Sequence, residues 1–225
     1  MVKVKICGLT NVKDASRACD YGADLLGFIF VKGTPRYVEN IRDIISDLPP
    51  EVKNKTGRVG LFKDEELEEV ARTVAGCDLD YVQLHGEERP DYCRALKNIL
   101  RDRHNLSAKI IKTFKIRDRI LPQGQYSPCD YEQADYFVFD TFHPEISGGT
   151  GRRFDWQVLI KERERIKKPF FIAGGLTPEN VASAVKTVRP YGVDVSSGVE
   201  DLPGEKDENL LKEFIENAKK AQTAR

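Results

Sequence analysis

A cysteine, an aspartate, an arginine and a histidine stand at or just beyond the ends of apolar segments, where side chains can reach a ligand. Cys7 closes Val2-Lys3-Val4-Lys5-Ile6-Cys7. A thiolate can accept a carbon-bound proton, although a lone cysteine serves equally well as a small buried apolar residue. Asp140 ends Tyr136-Phe137-Val138-Phe139-Asp140. A carboxylate after so apolar a run is costly unless it is partnered or used, either as an acid or as a loop cap. Arg36 lies in the stiff stretch Thr34-Pro35-Arg36-Tyr37. Its planar fork suits a carboxylate of the substrate, with an exposed salt bridge as the plainer alternative. His85 follows Val82-Gln83-Leu84 and either lines a site or satisfies a backbone carbonyl. No second His or Cys recurs at ligand spacing, so no metal site is expected.

Two glycine-rich stretches suggest a phosphate cradle. Gly174-Gly175-Leu176-Thr177-Pro178 offers close backbone approach, then a helix start with Thr177 as cap and Pro178 in the first turn. Ser196-Ser197-Gly198-Val199 adds hydroxyls and backbone N–H groups. One such loop is more often only a turn; two, after consecutive strands, favour an anion site. A third stretch, Gly148-Gly149-Thr150-Gly151, follows Asp140, and Gly149 joins Arg36 and His85 as an expected substrate contact.

The elements that must position these residues alternate along the whole chain. Strand-like runs fall at 2–7, 24–30, 58–62, 81–84, 108–114, 136–139, 170–173 and 193–195. Helical stretches fall at 11–21, 40–48, 64–75, 89–98, 156–166, 178–187 and 208–221, with an ambiguous, loop-rich segment after the fifth strand. Eight β/α units in 225 residues predict an α/β fold, a single (β/α)8 TIM barrel spanning 1–225 as one domain. A doubly wound open sheet is the second choice. In a barrel the catalytic residues belong at the C-terminal ends of the strands, and every residue singled out above falls there.

Composition narrows the function. Lys and Arg number 36 and Asp and Glu 36, so the balanced charge excludes a basic nucleic-acid footprint. The charged stretch Lys63-Asp64-Glu65-Glu66 reads as a solvated helix face. The five cysteines are scattered and odd in number, which points to free thiols in a reducing compartment. No apolar run approaches the roughly 18 residues of a membrane span, and no leader precedes the first strand. The expectation is a cytoplasmic protein acting on a small phosphorylated molecule, without nucleic-acid or membrane partners, as a monomer or homodimer.

Taken in order, these stretches resemble the phosphoribosylanthranilate isomerase family. The resemblance rests on Val4-Lys5-Ile6-Cys7-Gly8-Leu9-Thr10, Pro35-Arg36, Val59-Gly60-Leu61-Phe62, Val82-Gln83-Leu84-His85-Gly86, Ala173 to Val181, and Gly192 to Glu200 with Lys206-Asp207. It spans nearly the whole chain, departing between 98 and 133, where this sequence is longer. It implies an Amadori rearrangement in tryptophan biosynthesis, with Cys7 as general base and Asp140 as general acid. An iminium intermediate would be the electron sink, so no cofactor is implied. Related phosphosugar barrels, such as a phosphopentose epimerase or indole-glycerol-phosphate synthase, share the phosphate loops but not the set Cys7, Arg36 and Asp140. A catalytically silent phosphate-binding barrel would have lost Cys7 or Asp140.

Strand periodicity adds one expectation. If Cys7 faces the barrel mouth, Lys5 shares its face one layer down, and Asp194 sits two residues before Ser196 on the neighbouring strand. A buried ammonium needs a partner, so a Lys5–Asp194 pair beneath Cys7 is expected, its positive end favouring the thiolate.

Overall fold

The computed structural model describes residues 1–116, 119–120, 125–141 and 156–223. Eight parallel strands pair in chain order and close into a barrel. They are β1 Lys3–Ile6, β2 Leu25–Ile29, β3 Gly57–Phe62, β4 Tyr81–Leu84, β5 Lys109–Ile116, β6 Tyr136–Thr141, β7 Phe170–Ala173 and β8 Gly192–Val195. Closure is made by β8 on β1, with Lys5 opposite Asp194 and Ile6 opposite Val195.

Alternation along the strands divides two cores. Outward residues such as Val4, Ile6, Phe28 and Val82 join the shell of apolar side chains under the helices. Inward residues Leu25, Val59, Ile111, Val138, Phe171 and Ala173 fill the barrel, with Tyr81 and Tyr136 packed against them from the strands' N-terminal ends. In an open antiparallel sheet the Val-Lys-Val-Lys alternation of β1 would put lysines in water. A closed barrel instead turns Lys5 inward, where it is fully buried.

The helices are α1 Val12–Asp20, α2 Ile41–Ser46, α3 Pro50–Lys55, α4 Leu67–Gly76, α5 Pro90–His104, α6 Gln157–Glu162, α7 Pro178–Val188 and α8 Glu208–Thr223. Several boundaries depart from the sequence reading. A second short helix, α3, follows the first in the β2–β3 connection, with Pro50 in its first turn. The stretch from Lys63 to Glu66 is loop rather than helix, because Asp64 adopts φ +51 and its carboxylate accepts the Glu87 N–H at 2.5 Å. α5 runs six residues beyond the expected end and stops at Asn105, which takes the left-handed conformation at φ 53. Between β5 and β6 the described residues contain a 3-10 turn, Pro128–Asp130, and no α-helix. After β8 a hairpin appears in place of the expected loop, β9 Glu200–Leu202 against β10 Glu205–Lys206.

A buried ion pair outside the barrel ties the connections after β3 and β4 together. Lys112 on β5 donates to Glu88 Oε2 and to the Gly86 carbonyl, each at 2.7 Å. Glu88 also accepts the Asp64 and Gly86 N–H groups at 2.9 and 3.1 Å. Lys112→Met leaves this carboxylate buried without its cation. The expected loss is about 3–5 kcal/mol in urea denaturation, with part of it recovered when Glu88→Gln is added.

Candidate active site

The strands' C-terminal ends surround a cavity of about 390 Å3. Cys7, Arg36, His85, Asp140, Gly174, Gly175, Ser196, Ser197 and Gly198 all line it. The barrel thus gathers residues separated by up to 191 positions, as the sequence reading requires. Gly149 lies outside the described residues.

Cys7 follows β1 and is 5% exposed. Gly27 on the adjacent strand leaves room for it, since a Cβ there would stand 3.0 Å from the Cys7 sulfur and 3.1 Å from Lys5 Nζ. One layer down, Lys5 Nζ donates to both carboxylate oxygens of Asp194 at 2.9 Å. The expected pair is present. Burial alone would lower the Lys5 pKa, but Asp194 and the Cys7 sulfur outweigh it and hold the ammonium above its ordinary value. The effect on Cys7 is less simple than expected. Burial pushes the thiol up, Lys5 pulls it down and Asp194 pushes it up again, with Lys206 a weaker downward pull. The thiol ends above its ordinary value, so the ammonium moderates the cost of ionisation without reversing it.

Asp140 sits on β6, one residue before its end, beside His85: Nε2 and Oδ2 are 3.6 Å apart. Burial lowers the His85 pKa to about 4, with Lys5, Lys112, Lys115 and Lys63 adding repulsion. The imidazole is therefore neutral at neutral pH. Its Nδ1 is buried and has no hydrogen-bond partner among the described residues, so His85 is not there to satisfy a backbone carbonyl.

Arg36 is neither a free reader nor an ordinary surface pair. Its Nε meets Glu200 Oε1 at 2.8 Å and its Nη2 meets Oε2 at 2.6 Å. The Glu200 side chain is only 4% exposed. Gly8, at φ +71, lets the arginine lie down: a Cβ there would come within 2.5 Å of Arg36 Cδ and 2.8 Å of Ser196 Oγ.

The phosphate loops are shaped by glycine. Gly174 and Gly175 take φ 84 and 64. A Cβ on Gly198 would fall 1.9 Å from the Leu176 carbonyl oxygen, so only glycine lets the loop after β8 touch the loop after β7. Ser196 lines the cavity, although its Oγ is itself buried against Gly8 and has no partner among the described residues.

A profile described as "PRAI: N-(5'phosphoribosyl)anthranilate (PRA) isomerase" matches residues 4–217. The chain belongs to this family. An N-(5'-phosphoribosyl)anthranilate isomerase of Geobacter sp. strain M21 is 45% identical over 224 residues, covering 98% of this chain and 99% of the relative. The crystal structure of phosphoribosyl anthranilate isomerase from Thermotoga maritima superposes with TM-score 0.79 at 40% identity, over 98% of this chain and all of that one. Another, of the isomerase in complex with reduced 1-(o-carboxyphenylamino)-1-deoxyribulose 5-phosphate, gives TM-score 0.76 at 37% identity, again over 98% and 100%.

Within this isomerase fold, two residues bonded to the cavity lining carry no expected role. Glu200 and Lys206 sit on the β9–β10 hairpin, and Lys206 Nζ donates to Glu200 Oε1 and the Cys7 carbonyl, each at 2.7 Å. The turn signal Pro203-Gly204, with Gly204 at φ 90, marks this hairpin in the sequence. Gln83 was also missed: it lines the cavity, donates to Thr113 Oγ1 at 3.2 Å, and leaves Oε1 without a partner among the described residues. Among those residues no helix is long and apolar enough to cross a membrane, and no cluster suits a metal ion.

The low His85 pKa has a direct signature. Its folded value, about 4, lies below the unfolded value near 6.5, so protonation favours the unfolded chain. Its contribution to stability is complete above about 6.5 and is lost as pH falls toward 4. Ring-proton NMR should show His85 titrating below pH 5. A midpoint near 6.5 would contradict the buried, cation-flanked environment.

Proposed function

We propose that Cys7 and Asp140 divide the proton transfers of the isomerisation. The family's reaction converts N-(5-phospho-β-D-ribosyl)anthranilate to 1-(2-carboxyphenylamino)-1-deoxy-D-ribulose 5-phosphate, a step of tryptophan biosynthesis, and this chain carries it out. The observation that supports the division of labour is a single cavity lined by both Cys7 and Asp140 and opened on one side to glycine backbone from the loops after β7 and β8.

Each group has a step suited to it. The 5-phosphate lies against Gly174, Gly175, Ser196, Ser197 and Gly198, where backbone N–H groups can face its oxygens. Asp140, protonated, gives its proton to the furanose ring oxygen as the C1–O bond breaks, and the aniline nitrogen's lone pair forms the C1=N iminium. Cys7, as thiolate, takes the C2 proton, and the C2–H electrons form C1=C2 as the iminium π electrons return to nitrogen. The enolamine then ketonises, gaining a proton at C1 and losing one from the C2 hydroxyl.

Electrostatics supports this order. A charged His85 would hold Asp140 ionised and unable to donate, so a neutral imidazole beside it suits an acid. The Cys7 thiol is pushed up by burial. Ring opening creates a cation next to it, which lowers the cost of the thiolate at the step that needs it. Arg36 is the substrate-carboxylate reader, and His85 is a further substrate contact on the cavity wall beside Asp140.

Cys7→Ser and Asp140→Asn test the pair. Loss of anthranilate fluorescence, followed on freshly made phosphoribosylanthranilate, should slow by about 10^2–10^4-fold in each, with affinity for a product analogue nearly kept. Near-wild-type turnover in either variant removes that residue from its role. Lys5→Met should move the ascending limb of kcat/KM, which reports deprotonation of the base, to higher pH and lower turnover at neutral pH. An unmoved limb would mean that Lys5 only fills the barrel.

A further inference from the structure

Two cations, one of them the cavity-lining Arg36, converge on one carboxylate behind the cavity wall. Glu200 Oε1 accepts from Arg36 Nε at 2.8 Å and from Lys206 Nζ at 2.7 Å, and Oε2 accepts from Arg36 Nη2 at 2.6 Å and Nε at 3.1 Å. The cluster carries one net positive charge and is largely removed from solvent, the Lys206 and Glu200 side chains being 0% and 4% exposed. An excess cation in such a place is costly until an anion meets it.

Geometry says which edge of Arg36 the anion would meet. A guanidinium has two faces that can hold a carboxylate in bidentate fashion: the side edge, Nε with one Nη, and the terminal edge, both Nη atoms. Glu200 takes the side edge. Nη1 has no hydrogen-bond partner among the described residues, and Arg36 lines the cavity.

The carboxylate that does this is itself fixed. Glu200 begins β9, and Lys206 on β10 also donates to the carbonyls of Cys7 at 2.7 Å and Ser196 at 3.2 Å. Glu200 is therefore referenced both to the end of the strand bearing the base and to the phosphate loop. Arg36 comes from a long connection and has only 23% of its side chain exposed. Without Glu200 its guanidinium plane would be free to turn.

We infer that Glu200 is a specificity-determining positioning residue, which occupies the side edge of Arg36 and thereby turns its terminal edge toward the aromatic carboxylate of the substrate. This rests on the assignment of Arg36 to that carboxylate. Glu200 does not touch substrate. It sets the angle at which the planar carboxylate is read, and so selects an ortho-carboxyphenyl amine over an unsubstituted phenyl amine.

The experiment compares two reduced product analogues, one bearing the 2-carboxyphenyl group and one bearing phenyl, against Glu200→Gln and Arg36→Ala. In Glu200→Gln the carboxyphenyl analogue should bind about tenfold more weakly, as for loss of one charge-assisted contact, with the phenyl analogue changed less than about twofold. KM should rise by a similar factor with kcat changed less than about threefold, as for a contact equal in ground and transition states. Retained affinity for the phenyl analogue also shows that the variant is folded. If it is too unstable to assay, Glu200→Asp serves in the same comparison. Equal losses for both analogues, or no loss for either, would overturn the inference, because a merely structural pair would loosen the whole rim alike. If Arg36→Ala itself weakens both analogues equally, the carboxylate assignment of Arg36 fails instead.

Discussion

The pair between Lys5 and Asp194 governs how this barrel closes and what can happen at its mouth. An ammonium and a carboxylate in an apolar interior are each expensive, and the cost is recovered only when they meet at close range with both oxygens engaged. They meet because β8 lies against β1 in one register, with Lys5 opposite Asp194. A slip of one residue would put the two charges on opposite faces of the sheet, each buried without the other. The pair is thus a register lock as well as an electrostatic floor for Cys7.

A second layer of charge sits above the first. Arg36, Glu200 and Lys206 form it, and Lys206 joins the layers through the Cys7 carbonyl. The two differ in purpose. The lower pair is neutral and closed, whereas the upper cluster keeps an unmatched cation and an unused guanidinium edge at the cavity. The Glu88–Lys112 pair does comparable work under His85, holding the turn that carries it against the loop after β3. Buried charge in this protein is concentrated where strand ends must be held at fixed angles.

Much of this was legible in the sequence. Strand positions follow from short apolar runs, and the inward turn of Lys5 and Asp194 follows from a period of two once a closed barrel is assumed. Cys7, Asp140, His85 and the paired glycine loops stand out because their types conflict with the segments they terminate. What failed to show were partners set by distant chain segments. Nothing near Arg36 announces Glu200, 164 residues away. Glu88 and Lys112 look like two ordinary surface charges until the fold buries them. The helix α3 was hidden by Pro49-Pro50, which reads as a breaker although Pro50 only opens a new helix. The end of α5 had a usable sign, Asn105, within a stretch whose unusual length drew attention away from it.

The packing of the barrel interior bears on the fate of one hydrogen atom. The lumen is filled by Leu25, Val59, Ile111, Val138 and Phe171, with Tyr81 and Tyr136 packed against them, and Val138 also lines the cavity. Cys7 itself lines the cavity at the mouth, so a ligand seated there covers the sulfur that takes up the proton. Carbon-bound deuterium delivered from C2 to that sulfur would then wash out into bulk water slowly while the ligand stays bound. In product that ketonises before leaving, it would sooner be found at C1.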